Sequence, residues 1–108
     1  MAFDFDQTLQ AIGDAIVNQL RLDGKAAGDY ALTGAKQIAS TAAYIVANYA
    51  IGKIRPAMAE ALFENQKDSV AILFEGVHGM TALAAENAIN AGLAVARSAV
   101  NTATGLSL

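Results

Sequence analysis

The stretch that decides the fold is AGDYALTGAKQIASTAAYIVANYAIGKI, residues 27–54. Alanine recurs in it at every fourth position from 27 to 47. An α-helix turns once in about 3.6 residues, so each step of four overshoots a full turn by about 40°. This alanine ladder therefore predicts a long helix whose small side chains spiral around it and meet more than one neighbouring helix.

Small side chains at this spacing let two helix backbones approach closely. The segment 81–103 also carries small residues at a spacing of four. We assign the small residues of both segments to helix packing and to an assembly interface. The residues so assigned are Ala31, Ala35, Ala39, Ala43, Ala47, Ala84, Ala88, Gly92 and Ala96. Alanine is also the best helix former, so helix propensity alone is the alternative explanation of the pattern.

The chain is small for the helix it contains. Hydrophobic residues occupy 55% of the 108 positions, but 25 of these hydrophobic residues are alanine. Alanine adds little transfer free energy, whereas a Leu-sized side chain adds about 1.5–3 kcal/mol. A helix over 27–54 would be about 42 Å long, more than the width of about 30 Å of a small domain. Small chains with thin cores borrow surface from copies of themselves, so we expect oligomerisation to complete the core.

Apolar periodicity predicts further helices on either side of this one. Phe5, Leu9, Ile12, Ile16 and Leu20 follow the three–four spacing of an amphipathic helix over 5–22, closed by a turn at 23–24. We expect helices at about 5–22, 27–54, 56–75 and 81–103, with a frayed or docked tail at 104–108. The predicted fold is one all-α domain over 1–108, with three to four Ala-rich helices forming an extended helical hairpin or a bundle.

Two boundaries of these helices depend on proline and glycine. Pro56 lacks a backbone N–H and forces Arg55 out of the α region, so the second helix should end before it and the third begin with it. Gly76 and Gly79 together cost a helix interior about 2 kcal/mol relative to alanine. They favour a turn there, although the apolar rhythm runs on from Val70 to Met80.

Composition excludes several classes of protein. The chain has no Cys, which removes disulfide scaffolds, iron–sulfur clusters and thiolate zinc sites. A net charge of −3 with seven basic residues gives no footprint for nucleic-acid binding. Asp4 and Asp6 stand where a secretory signal needs basic residues, so we expect a cytoplasmic chain or one incorporated into an assembled particle.

Residues that could carry chemistry are few. Glu75 and His78 match the Glu-x-x-His motif of di-metal helical bundles, to which Glu60 or Glu64 could add a carboxylate. A plain structural or exposed histidine is the simpler interpretation, and we predict no cofactor and no catalytic residue. Glu60, Glu64 and Asp68 form an acidic row that would bind a cation or a basic partner, or would simply be a solvated helix face.

Three tyrosines, Tyr30, Tyr44 and Tyr49, resemble a stacking platform for bases. Tyr44 and Tyr49 lie about 140° apart around a helix, so they do not share a face. We expect core or interface positions for them, with the hydroxyl group at a wet edge.

These features favour a non-enzymatic structural protein that self-assembles through Ala-lined helix faces into a ring, tube, filament or virion-type particle. Leucine at Ala39 or Ala43 should then force backbones apart and disrupt assembly. The alternative is a membrane-active helical protein that inserts segments 38–54 and 70–83. A metal-binding bundle is the second alternative.

Overall fold

The computed structural model describes residues 3–25, 29–77 and 79–108. Helix α1 spans Phe5–Leu22, α2 Asp29–Ala50, α3 Pro56–Glu75 and α4 Ala82–Thr104, and the described ranges hold no strand. The all-α class is therefore confirmed, with four helices. Of the two predicted arrangements, hairpin or bundle, the chain adopts the bundle.

Helix α1 begins and ends as the sequence predicts. The Asp4 carboxylate accepts the backbone N–H of Gln7 at 3.0 Å and so caps the first turn. At the other end Gly24 has a φ of 69°, and the N–H of Lys25 reaches the carbonyl of Leu20 at 2.7 Å. A glycine in this conformation lets the backbone fold back and satisfy the last carbonyls of the helix.

Helix α2 ends four residues earlier than predicted. Gly52 has a φ of 74°, its N–H donates to Tyr49, and the N–H of Lys53 donates to Asn48. This pair of bonds is a Schellman motif, which closes the helix before Pro56 can act. Ile54 then turns into the core, where it is buried. The predicted start at residues 27 and 28 lies outside the described residues.

The described residues between α3 and α4 form a turn. Helix α3 starts with Pro56 and ends at Glu75, and Gly79 has a φ of 80°. The Thr81 hydroxyl then accepts the N–H of Ala84 at 3.1 Å and caps α4.

The C-terminal tail is docked on the bundle. Its leucine side chains pack against the core, and the Asn101 side chain accepts the N–H of Leu108 at 2.9 Å. Of the two predicted states of the tail, frayed or docked, the structure shows the docked one.

Two Ala-rich helices form the centre of the bundle. Helices α2 and α4 contact each other, α1 and α3 each pack against both, and α1 does not touch α3. Consecutive helices run antiparallel and give a bundle of 43 × 23 × 19 Å. Both pairs of helices supply large core side chains: the outer helices contribute Ile12, Ile16, Leu20, Phe63, Val70 and Phe74, and the central helices contribute Ile38, Ile45, Ile89, Leu93 and Val100.

The central helices offer glycine where an outer helix comes closest. A Cβ placed on Gly92 would lie 3.0 Å from Ile16 Cγ1, and one on Gly34 would lie 3.1 Å from Val70 Cγ1. The small residues of α2 and α4 therefore let one chain close its own core, and burial of Ala31, Ala35 and Ala39 does not require a second chain.

Candidate functional site

The alanine ladder turns from the core to the surface along α2. Ala31, Ala35 and Ala39 are buried, Ala43 is half-buried and Ala47 is exposed. This is the spiral that a spacing of four predicts, because each step moves the side chain about 40° around the helix. Among the described members of the ladder, only Ala43 and Ala47 have surface that another chain can reach.

The second set lies entirely inside the bundle. Ala84, Ala88, Gly92 and Ala96 are buried against helices of the same chain. Seven of the nine residues assigned to packing and assembly thus pack within the chain. For Ala43 and Ala47, contact with another chain stays a prediction.

Arg97 of α4 occupies the acidic row of α3. Its guanidinium donates to Glu60 at 2.6 Å and lies 3.4 Å from Glu64. The same group stands 5.5 Å from the centre of the Phe63 ring, close enough for a cation–π contact. The basic partner of two of the three acidic residues is therefore a residue of the same chain, one that sequence spacing within α3 could not reveal.

Charge is confined to one side of α3. Its other charged residues, Lys67, Asp68 and Glu75, line the groove towards α4, and Lys67 Nζ lies 3.8 Å from a Glu86 carboxylate oxygen. We call each surface between neighbouring helices a face and name it by its two helices. The α3–α4 face is thus charged, and so is the α1–α2 face, which Asp14 and Arg21 line.

The α2–α3 face is nearly free of charge. A shallow groove of about 660 Å³ runs along it, lined by amide, hydroxyl and apolar side chains, with Lys36 as the one charged residue among those lining it. Gln66 bridges the two helices here, since its Oε1 accepts the Thr41 hydroxyl at 2.6 Å and its Nε2 donates to Gln37 Oε1 at 3.2 Å. Tyr44 borders the groove with 54% of its surface exposed.

This amide–hydroxyl network was missed at the level of sequence. Its only sequence signal is the uncharged run 37–52, in which polar residues stand where charged ones would be expected on an exposed helix. The network fixes α2 against α3 and leaves a surface that presents neutral hydrogen-bonding groups beside exposed apolar ones.

The α1–α4 face lies on the opposite side of the bundle and is also nearly uncharged. Its groove, of about 560 Å³, is lined mostly by small side chains, with Phe3, Gln7 and Val95 as the larger uncharged ones; the small residues are Thr8, Ala11, Ala94, Ser98, Ala99, Thr102 and Ala103. Asp4 is the one charged residue among those lining it and sits at the end where α1 begins.

Tyr44 and Tyr49 lie in different environments, as their spacing predicts. Of the two kinds of position expected for the tyrosines, core or interface, Tyr30 and Tyr44 do not occupy the core. Tyr44 is exposed on α2, and Tyr49 is half-buried and packs against the core. Tyr30 is exposed, and its ring lies 3.9 Å from the point that a Cβ added to Gly76 would occupy. They form no common platform.

The proposed metal motif does not gather ligands among the described residues. His78 lies outside them, Glu60 and Glu64 face Arg97, and the described part of the chain contains no group of three or more His, Cys, Asp or Glu placed to hold a metal ion.

Within the part of the chain that is described, none of the four helices is both long and apolar enough to cross a bilayer. In comparisons with known proteins, the chain matches no protein-family profile, no curated protein sequence and no solved structure.

Proposed function

We propose that this protein is a non-enzymatic structural subunit that self-assembles into a homo-oligomer such as a ring, tube, filament or virion-type particle. The observation that carries the proposal is the division of the surface into two charged and two nearly uncharged faces. The uncharged faces, α2–α3 and α1–α4, lie on opposite sides of the bundle.

Uncharged surface is what an assembling subunit can bury at low cost. An unpaired charge is expensive to remove from water, and charged residues are depleted at the centres of protein interfaces. Here some of the α3 carboxylates pair with Arg97. The other charged residues of α3 line the groove towards α4, where they stay in contact with solvent. Stacking through the two uncharged faces would leave the charged faces on the outside of the assembly.

The position of these faces supports an extended assembly over a closed pair. Two different surfaces on opposite sides of one subunit form head-to-tail contacts, which produce a ring if the rotation closes and a filament if it does not. The protein would thus act through its surfaces rather than through a reaction.

Light scattering coupled to size exclusion tests this proposal. The purified chain, measured from about 1 to 500 μM, should have a mass that rises above the 11.1 kDa of one chain, and negative-stain microscopy of the same sample should show rings, tubes or filaments. A mass of one chain across the whole range would overturn it.

A further inference from the structure

We infer that the α2–α3 face of one copy packs into the α1–α4 groove of the next copy. This inference rests on the proposed self-assembly and names the surfaces that carry it. Three properties of the two faces support a second copy as the occupant: the sizes of their side chains, the placement of charge at their ends, and their area.

The two faces are complementary in side-chain size. Tyr44 borders the α2–α3 groove with 54% of its surface exposed. Ile51, directly after α2, and Met58, in the first turn of α3, flank the loop between these helices and are exposed by 65% and 52%. On the opposite side most residues that line the groove are small, including the exposed Ala11 and Ala94, although Phe3 and Val95 also line it. Helices pack by fitting the ridge of one surface into the groove of another, and large side chains over small ones give the closest fit.

The ends of the two faces carry opposite charge. Lys53 and Arg55 are exposed in the loop between α2 and α3, and Asp4 lies where α1 begins. Because consecutive helices run antiparallel, all three residues are at the same end of the bundle. Copies stacked side by side in one orientation would therefore bring Lys53 and Arg55 of one copy beside Asp4 of the next.

The remaining charges do not oppose this contact. Lys36 borders the α2–α3 groove and can extend its ammonium group past the rim of an interface while its apolar stem is covered. The charged residues of the α3–α4 and α1–α2 faces stay in water, away from the contact.

The area suffices for a stable contact. Helices of 20 and 22 residues are about 30–33 Å long, and two helices packed 8–10 Å apart present a face about 18–20 Å wide. The face then offers about 600 Å² per copy, or about 1,200 Å² for both, at the lower end of the range for specific interfaces.

The test uses one variant for each face. Tyr44→Glu places a charge on the ridge, and Ala94→Glu places one in the groove. Leu32→Glu is the matched control, because Leu32 lies on the same helix with a similar exposure of 51% but borders the α1–α2 face. Circular dichroism checks that all three variants keep the helical fold of the native chain.

We expect Tyr44→Glu and Ala94→Glu each to reduce the mass by light scattering to the 11.1 kDa of one chain, while Leu32→Glu assembles like the native protein. An equimolar mixture of the first two should have twice the mass of one chain, because one variant keeps an intact groove and the other an intact ridge. This rescue is specific to a contact between two different faces.

Each other outcome overturns the inference. If the native chain assembles but Tyr44→Glu does so equally well, the faces are assigned wrongly and the proposed self-assembly stands. If both variants are monomeric and their mixture stays monomeric, the contact is not head-to-tail. If the native chain itself is monomeric, the proposed function fails together with the inference.

Discussion

Replacing Gly92 by alanine tests the close packing of α1 against α4 on which the fold depends. The added Cβ would lie 3.0 and 3.1 Å from Ile16 Cγ1 and Cδ1, and 3.3 Å from Ile12 Cγ2. These carbons belong to side chains with no exposed surface, so they must shift within the core to admit the added methyl group. Overpacking of this kind costs about 1–3 kcal/mol.

The same substitution also brings a gain, since alanine is favoured over glycine in a helix by about 1 kcal/mol. The net effect expected for Gly92→Ala is a loss of about 1 kcal/mol in the free energy of unfolding. Gly13→Ala separates the two contributions, because its Cβ would meet only Ala35 Cβ at 3.8 Å, an ordinary contact. That control should gain about 1 kcal/mol from helix propensity alone.

Urea unfolding followed by circular dichroism measures both variants, at one fixed protein concentration because self-association would add to apparent stability. The urea midpoints of the two variants should move in opposite directions, and their free energies of unfolding should differ by about 2 kcal/mol. Thermal unfolding should rank the two variants in the same order, and the melting temperature should shift by about 4–8 °C for each kcal/mol of unfolding free energy. If Gly92→Ala stabilises the protein as much as Gly13→Ala does, the α1–α4 contact is looser than described and the reasoning fails.

Other contacts give smaller predicted effects. Arg97→Met should cost about 0.5–1 kcal/mol in low salt and less in 1 M salt, since its contacts with Glu60 are partly exposed; equal losses at both salt concentrations would mean that packing on the ring dominates. Thr41→Val should lower the free energy of unfolding by about 1 kcal/mol, and with it the urea midpoint, because Gln66 loses a hydrogen bond; an unchanged midpoint would show that water replaces it. Thr81→Ala removes the cap of α4 and should also cost about 1 kcal/mol, while Thr81→Ser should restore native stability.

The helices could be predicted from the sequence because their signals are local. An amphipathic spacing over 5–22 and a Pro56 at the first position of α3 each act within a few residues. The end of α2 was misplaced because two local signals compete there. Gly52 reaches the left-handed conformation and closes the helix before the steric effect of Pro56 is felt.

The partners of the helices could not be predicted in the same way. Arg97 stands 37 positions from Glu60, and no spacing rule within one helix links them. The bridge from Gln66 to Thr41 likewise spans 25 positions. The sequence does show that the charged residues of α3 lie on one side of the helix. Only the structure shows that α4 packs along that side and pairs with them.

The described positions of the alanine ladder divide into buried ones, which act in folding, and exposed ones, which are open to contacts with another chain. From the sequence alone, leucine at Ala39 was expected to disturb contacts between chains. In the structure Ala39 has no exposed surface, so leucine there overpacks the core of a single chain at about 1–3 kcal/mol. Ala47, two steps further along the same ladder, is exposed. A bulky residue at Ala47 leaves the core intact and can alter only what lies outside it, so a spacing of four gives one helix an inner and an outer role.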